Sequence, residues 1–158
     1  MKVVLFCGGL GMRLRDYSDS IPKPMVEIGY RPILWHVMKY YASFGHKDFI
    51  LCLGYKADVI KRYFVDYQEF ISNDFVLNGD DQPQMLASDL EGWKITFVDT
   101  GYDSCIGERL RRVREHLDGE EMFLANYSDN LTDFQLPELI STVEDSDAVA
   151  GFITLPPP

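Results

Sequence analysis

The sequence is poor in cysteine and contains no long hydrophobic run. Its three cysteines, Cys7, Cys52 and Cys105, lie far apart and include no Cys-x-x-Cys spacing, so neither a disulfide framework nor a zinc site is expected. No apolar stretch approaches the length that spans a bilayer, and Met1-Lys2 leads directly into a strand-like run instead of a signal peptide. These absences predict a cytoplasmic protein with no membrane partner.

Positive charge is also scarce. Fifteen Lys and Arg residues face 25 Asp and Glu residues, which gives a formal net charge of -10. Because nucleic-acid binding depends on a broad basic surface, this balance argues against a nucleic-acid partner. A small phosphate ligand needs only a few cations and backbone N–H groups. Arg13, Arg15 and Lys23 supply such a local group of cations.

Apolar runs of strand length alternate with segments of helical periodicity, a pattern that predicts an α/β fold with a largely parallel sheet. The predicted strands are residues 2–7, 48–53, 75–78, 94–99, 121–126 and 148–154. The predicted helices are residues 32–44, 57–67, 108–117 and 137–143. The last strand runs into Leu155 and three prolines, which suggests one domain over residues 1–158 that is truncated at its C-terminus.

A glycine-rich segment, Gly8-Gly9-Leu10-Gly11, follows the first predicted strand. Glycines at this place let a phosphate approach the main-chain N–H groups, because no Cβ intrudes. A tight turn explains such a cluster equally well. Arg13 shifts the balance towards a phosphate site, since a guanidinium group offers two parallel donors to phosphate oxygens.

Lys23 stands between Pro22 and Pro24. The two prolines restrict the backbone around it and favour an extended conformation, so its ammonium group would be held with little freedom. In isolation this pattern is more typical of a lysine in a surface loop. Its position shortly after the glycine-rich segment favours a role in binding the same ligand.

Five segments carry a specific resemblance. GGLGMRL from Gly8, PKPMVEIGYRPILWHVM from Pro22 and DFILCLGY from Asp48 resemble the start of the sugar-phosphate nucleotidyltransferases. TFVDTGYDSCIGERLRRV from Thr96 and FLANYSDN from Phe123 resemble one branch of that family, the glucose-1-phosphate cytidylyltransferases. The resemblance runs in register across essentially the whole chain.

The resemblance implies a Rossmann-like, three-layer α/β nucleotidyltransferase fold with a mostly parallel mixed sheet. It also implies the reaction of CTP with α-D-glucose 1-phosphate, with Mg²⁺ as cofactor, to give CDP-glucose and pyrophosphate. A homo-oligomer is the expected assembly. The second reading of the chain is a non-catalytic or incomplete nucleotide-binding module that needs a partner chain.

The resemblance also assigns roles to individual residues. The implied catalytic residues are Arg13, Lys23 and Asp129, with Asp129 as the metal ligand. Without the resemblance, Asp129 would be interpreted as a turn or helix-cap residue. The implied nucleotide-binding residues are Phe6, Cys7, Gly8, Gly9, Leu10, Gly11, Met12, Arg13, Ser104, Gly107 and Arg109.

Overall fold

The computed structural model describes residues 1–9 and 21–154. Along the chain, its strands and helices are β1 (Lys2–Phe6), β2 (Glu27–Ile28), β3 (Arg31–Pro32), α1 (Ile33–Ser43), β4 (Asp48–Leu53), α2 (Ala57–Val65), β5 (Phe75–Val76), β6 (Gln84–Met85), β7 (Lys94–Asp99), α3 (Ile106–Arg112), β8 (Leu124–Tyr127) and α4 (Leu136–Glu144). Single 3₁₀ turns lie at Lys23–Met25, Glu69–Ile71 and Arg114–Leu117.

Four parallel strands form the main sheet in the order β7-β4-β1-β8. The chain builds the sheet outward from β1 through β4 to β7, and then returns to place β8 on the other side of β1. The strand order therefore reverses between β1 and β8. Ligands of open α/β sheets bind at the carboxyl ends of the strands beside such a reversal.

Both faces of the sheet are buried. Alternate residues of β1 point to opposite faces, so Val3 and Leu5 belong to one apolar cluster and Val4 belongs to the other. The larger cluster contains residues of α1, α2 and α4, including Leu34, Ile60 and Leu136. Burial on both faces explains why β1 and β4 are continuous apolar runs in the sequence.

Helix α3 packs on the opposite face of the sheet from α1 and α2. Leu110 of α3 and the following Val113 contact the cluster around Val4 and Ile50. Crossovers between parallel strands are right-handed, so a connection that runs across the sheet in the reverse direction must use the opposite face. The return from β7 to β8 is such a connection. The predicted three-layer α/β class is confirmed.

Residues 66–92 form an excursion outside the main sheet. Its only strands are β5 and β6, which pair with each other in a small antiparallel ribbon. The predicted strand at residues 75–78 therefore exists in shorter form, at Phe75–Val76, and joins a separate sheet. The excursion is anchored through Asp89, which is 8% exposed and accepts hydrogen bonds from Tyr67 and Ser72.

The predicted strand at residues 148–154 is wrong. This segment forms no ladder and lies beside β8, where residues 149–153 line one side of an apolar groove of about 640 Å³. An apolar run becomes a strand only where a neighbouring strand supplies hydrogen bonds. Val149 and Phe152 are highly exposed instead, at 102% and 83%.

Other predicted boundaries shift by a few residues. Strand β8 covers Leu124–Tyr127 instead of residues 121–126, and the helix predicted at 108–117 is divided into α3 and a 3₁₀ turn. Among the described residues, no helix combines the length and apolarity that a bilayer-crossing segment requires.

Candidate functional site

The candidate site lies at the carboxyl ends of β1 and β8. The parallel register pairs Phe6 with Tyr127, so Gly8 and Asp129 each follow their strand by two residues. The hydroxyl of Ser128 donates a hydrogen bond to the Phe6 carbonyl at 2.8 Å and ties the two strand ends together. Since Ser128 is 2% exposed, this link belongs to the floor of the site.

Lys23 and Asp129, which the sequence predicts as catalytic residues, form an ion pair. The Lys23 side chain is 45% exposed, whereas that of Asp129 is 17% exposed. The pair thus lies at the surface of the site, with the carboxylate deeper than the ammonium group. An ammonium and a carboxylate in contact can each exchange their partner for a ligand, the lysine for a phosphate and the aspartate for a metal ion.

The backbone at Lys23 differs from the prediction. It was expected to be extended, but Lys23 begins the 3₁₀ turn that includes Pro24 and Met25. Both of those residues are buried, and the Met25 N–H donates to the Pro22 carbonyl at 2.8 Å. Burial and this hydrogen bond outweigh the modest preference for an extended residue before proline. The lysine is nevertheless held firmly, by its neighbours rather than by its own torsion angles.

Asp129 is also the predicted metal ligand. In the described part of the chain, no group of three or more His, Cys, Asp or Glu residues could hold a metal ion. A site with one protein carboxylate suits Mg²⁺, which commonly takes one or two carboxylates and completes its shell with water and substrate phosphates. The contact with Lys23 shows that the Asp129 carboxylate accepts a cation here. These residues fit a magnesium ion that is bound together with a phosphate ligand.

Gly8 and Gly9 present free backbone at the end of β1. The Cys7 N–H still belongs to the sheet and donates to the Cys52 carbonyl at 3.0 Å. Neither glycine N–H donates to a backbone group within residues 1–9 and 21–154, which suits an anion cradle. The other predicted binding residues of this loop, Leu10, Gly11, Met12 and Arg13, lie outside the described residues.

The Cys7 thiol lies beneath this cradle and is 1% exposed. Burial raises its pKa to about 12. The thiol is therefore neutral at physiological pH and cannot act as a nucleophile, because the thiolate is the reactive form. It packs as a small apolar side chain, and the predicted role of this position concerns its backbone alone.

Arg109, a predicted nucleotide-binding residue in α3, is buried and 4% exposed. Its guanidinium group donates to the carbonyls of Leu53 and Gly8, at 3.0 and 2.9 Å, and to the Thr100 hydroxyl at 2.7 Å. A fourth bond, of 3.2 Å, reaches the Tyr102 carbonyl. Arg109 therefore joins the ends of β1, β4 and β7, the three strands on one side of the site.

Ser104 and Gly107, the other predicted recognition residues, lie around the start of α3. Ser104 is half-buried in the loop between β7 and α3, and Gly107 is exposed in the first turn of the helix. A Cβ at Gly107 would meet no described atom within 4 Å. Ser104 thus lies in the same loop as Tyr102, and Gly107 borders open space.

Two residues of this region carry structural roles that the sequence did not predict. Ser128 links β8 to β1, and Thr100 both accepts from Arg109 and donates to the Leu53 carbonyl at 2.7 Å. The sequence signal for these roles was the position of each hydroxyl residue directly after a strand. Their partners are backbone groups of distant strands, which leave no pattern in the local sequence.

Comparison with known proteins places this chain in a family. The sequence matches the nucleotidyl transferase family over residues 2–156. A probable glucose-1-phosphate cytidylyltransferase of Bacillus subtilis is 41% identical over 164 residues, covering 98% of this chain and 64% of that protein. The glucose-1-phosphate cytidylyltransferase of Salmonella typhimurium is 44% identical over 140 residues, covering 89% of this chain and 54% of that protein. The chain thus spans a little over half of the length of these relatives.

Solved structures share the fold. HddC of Yersinia pseudotuberculosis, in complex with GMP-PN, superposes with a TM-score of 0.68 at 26% identity, covering 92% of this chain and 55% of that chain. A UTP-bound UGPase of Acinetobacter baumannii superposes with a TM-score of 0.67 at 21% identity, covering 93% of this chain and 53% of that chain. The fold expected from the sequence is confirmed by these likenesses.

Proposed function

Because the chain belongs to the nucleotidyl transferase family, we propose that it transfers the cytidylyl group of CTP to α-D-glucose 1-phosphate, giving CDP-glucose and pyrophosphate. The relatives that share 41–44% identity with this chain are named for that activity. The observation that carries the proposal is the contact between Lys23 and Asp129 beside Gly8, at the reversal of the strand order. These are the groups that a triphosphate and its counter-ion require.

The reaction needs no general base. A phosphate oxygen of glucose 1-phosphate is already ionised; it forms a bond to the α-phosphorus of CTP as the bond from that phosphorus to the β-phosphate oxygen breaks. Catalysis then depends on in-line positioning and on balancing negative charge. In our proposal, Lys23 neutralises charge at the α-phosphate or the sugar phosphate, and the Gly8 and Gly9 N–H groups hold phosphate oxygens. Arg13 would contact the triphosphate from the part of the loop outside the described residues.

A divalent metal completes the proposal, with Mg²⁺ the ion expected. When bound, it would neutralise phosphate charge and favour departure of pyrophosphate. Asp129 is the protein group that would hold it. Lys23 must leave the carboxylate at that stage, which frees its ammonium group for a phosphate oxygen. Ser128 keeps this region of β8 against β1, so the carboxylate stays level with Gly8.

Pyrophosphate release from CTP and glucose 1-phosphate in the presence of Mg²⁺ tests this proposal. We expect release by the full chain, and Asp129→Asn should lower kcat by about a hundredfold or more, because a charge that stabilises the transition state is lost. Glu144→Gln, an exposed acid at the end of α4, is the matched control and should leave turnover unchanged. No release with CTP, UTP, dTTP or GTP and common hexose 1-phosphates would refute the proposal.

A second function is a nucleotide-binding module that does not turn over alone. Among residues 1–9 and 21–154, Asp129 is the carboxylate paired with Lys23, and no group of three or more potential metal ligands is present. Calorimetry that shows saturable CTP binding without pyrophosphate release would favour this module over the enzyme. A single domain over residues 1–158, a homo-oligomer and a cytoplasmic location stay predictions, and analytical ultracentrifugation of the full chain measures the assembly.

A further inference from the structure

We propose that Arg109 is a positioning residue: through its two terminal nitrogens it holds the ends of β1, β4 and β7 in the arrangement that binds nucleotide. The inference rests on the proposed function for the identity of the ligand, and on the geometry of the protein for everything else. The sequence predicts Arg109 as a nucleotide-binding residue; the positioning role is a separate one that can be tested without ligand.

The terminal nitrogens of Arg109 are already bonded to the protein. Four hydrogen bonds of 2.7–3.2 Å connect its two terminal nitrogens to three carbonyls and one hydroxyl. Arg109 is 4% exposed, so a ligand could bond to these two nitrogens only after the present bonds break. Losing them would leave buried carbonyls without partners, at a substantial cost in free energy. Direct binding would therefore have to offset the loss of contacts that the folded protein makes on its own.

One terminal nitrogen of Arg109 connects the glycine-rich segment to the loop between β7 and α3. It donates to the Gly8 carbonyl at 2.9 Å and to the Tyr102 carbonyl at 3.2 Å. The two carbonyls therefore lie within about two hydrogen-bond lengths of each other, although Gly8 and Arg109 are 101 residues apart in sequence. The Gly9 N–H, which shares a rigid peptide plane with this carbonyl and points the opposite way, belongs to the proposed phosphate cradle. Fixing the carbonyl thus fixes the direction in which the cradle points.

The glycines around Arg109 leave the space that its guanidinium group occupies. A Cβ on Gly8 would overlap its Nη1 and Cζ atoms, well inside the 3.0 Å that real Cβ atoms keep. A Cβ on Gly54 would lie 2.9 Å from Nη1 and 2.8 Å from the Gly101 carbonyl. Gly8 is therefore required for two reasons: an open backbone towards the ligand, and space for Arg109 on the protein side.

A double-mutant cycle without ligand tests the packing half of the proposal. Gly8→Ala should lower the melting temperature by about 4–10 °C, because an added methyl group overpacks the site. In the Arg109→Ala background, the same substitution should lower it by about 1 °C or less, since the atoms it would strike are gone. Gly9→Ala, which meets no described atom within 4 Å, is the matched control in both backgrounds. Equal falls for Gly8→Ala in the two backgrounds would overturn the proposal.

Amide hydrogen exchange of the ligand-free protein tests the positioning half. Arg109→Lys should speed exchange about tenfold or more at Cys7 and Thr100, whose N–H groups bond to β4 at 3.0 and 2.9 Å, because the guanidinium contacts that hold the strand ends are lost. The His46 amide at the far end of α1 should not change. Unchanged exchange at Cys7 and Thr100 would mean that Arg109 holds nothing before the ligand arrives.

Ligand binding then separates positioning from a merely structural role. For Arg109→Lys, measured well below its melting temperature, we expect KM and Kd for CTP to rise about tenfold, with KM for glucose 1-phosphate unchanged and kcat altered less than threefold. Arg114→Lys, an exposed arginine in the neighbouring 3₁₀ turn, should behave as the wild type. Unchanged CTP affinity would reduce Arg109 to a structural residue and overturn the proposal. If the wild type binds no nucleotide, the proposed function fails, whereas the two ligand-free measurements still judge the role of Arg109.

Discussion

At the scale of single residues, the contact between Lys23 and Asp129 brings two expected roles into competition. The carboxylate of Asp129 can hold either the ammonium group or a metal ion at the same oxygen, and the structure has the ammonium group there. Lys23 is therefore a counter-ion of Asp129 that the protein itself supplies. Its removal should therefore affect metal binding and catalysis in opposite directions.

Lys23→Ala should bind Mn²⁺ about two- to fivefold more tightly than the wild type when no nucleotide is present. The factor is small because the lysine is 45% exposed, and half-exposed ion pairs are worth only about 0.2–1 kcal/mol. Electron paramagnetic resonance of free Mn²⁺ measures the affinity. The same variant should turn over more slowly, because the phosphate loses its ammonium partner.

Lys39→Ala is the control for that measurement. Lys39 is 40% exposed and is also paired with an aspartate, Asp89, but lies away from the site. Its removal should leave Mn²⁺ affinity unchanged. If Lys23→Ala and Lys39→Ala give the same affinity as the wild type, Lys23 does not compete with the metal.

At the scale of elements, the excursion over residues 66–92 depends on one buried carboxylate. Asp89 accepts hydrogen bonds from Tyr67, Asn73 and Lys39, at 2.9, 3.0 and 3.2 Å. Arg31, which is 1% exposed, lies 3.9 Å from the same carboxylate and donates to Ser72. The contacts join α1 and the start of the excursion to its end, so a segment with little regular structure of its own is held in place.

Asp89→Ala should lower the free energy of unfolding by about 3–5 kcal/mol, because it leaves Arg31 buried without its charge partner. Urea unfolding at pH 7 measures the loss. Lys94→Ala, which removes an exposed ion pair with Asp48, should cost only about 0–1 kcal/mol. Similar losses for the two variants would show that the Asp89 contacts do not support the fold.

The difference in unfolding free energy between the wild type and Asp89→Ala should depend on pH. Burial alone would raise the pKa of Asp89, but hydrogen bonds from Ser72, Tyr67 and Lys39 outweigh it and lower the pKa below the usual 3.8. A lowered pKa means that the folded state favours the ionised carboxylate. Its contribution is fully present above about pH 5 and is lost as the pH falls below 3.8 towards the folded-state pKa. The gap between wild type and Asp89→Ala should therefore narrow in that acidic range and stay constant above it.

The elements also show what the sequence can predict. Strands β1, β4 and β7 were predicted within a residue. For β1 and β4 the reason is that a strand buried on both faces is a continuous apolar run. The segment at 148–154 has the same composition, but its hydrogen-bonding partner is not encoded locally. For the site, the positions of Gly8, Lys23 and Asp129 follow from motifs. The contacts of Arg109 with the strand ends do not, because three of its four acceptors are backbone carbonyls that any sequence provides.

At the scale of the whole molecule, the cysteines report on unfolding. Cys7 and Cys52 lie on opposite faces of the sheet, and burial raises the pKa of each to about 12. Cys105, before α3, is exposed. Iodoacetamide should therefore modify Cys105 in the native protein and the other two only at the rate of global unfolding.

Mass spectrometry measures this pattern directly. One adduct is expected in native buffer and three in urea, after reaction times of minutes. Cys105→Ser should give no adduct in the native protein, which serves as the control. A second adduct that appears in native buffer at the rate of the first would show that the sheet opens locally around Cys7 or Cys52.

The position of β1 between β4 and β8 also sets an order of events during protein synthesis. Its first neighbour follows within about 50 residues, whereas the link from Ser128 to Phe6 closes a span of 122 residues. On the ribosome, β1, β4 and β7 can assemble with α1 and α2 while the other edge of β1 is still unpaired, because β8 has not yet been synthesised. Asp129 leaves the exit tunnel just after β8. If Asp129 holds the metal as we propose, the nascent chain gains that carboxylate only after all four described strands of the sheet have been synthesised, so a shorter nascent chain would lack the proposed metal ligand.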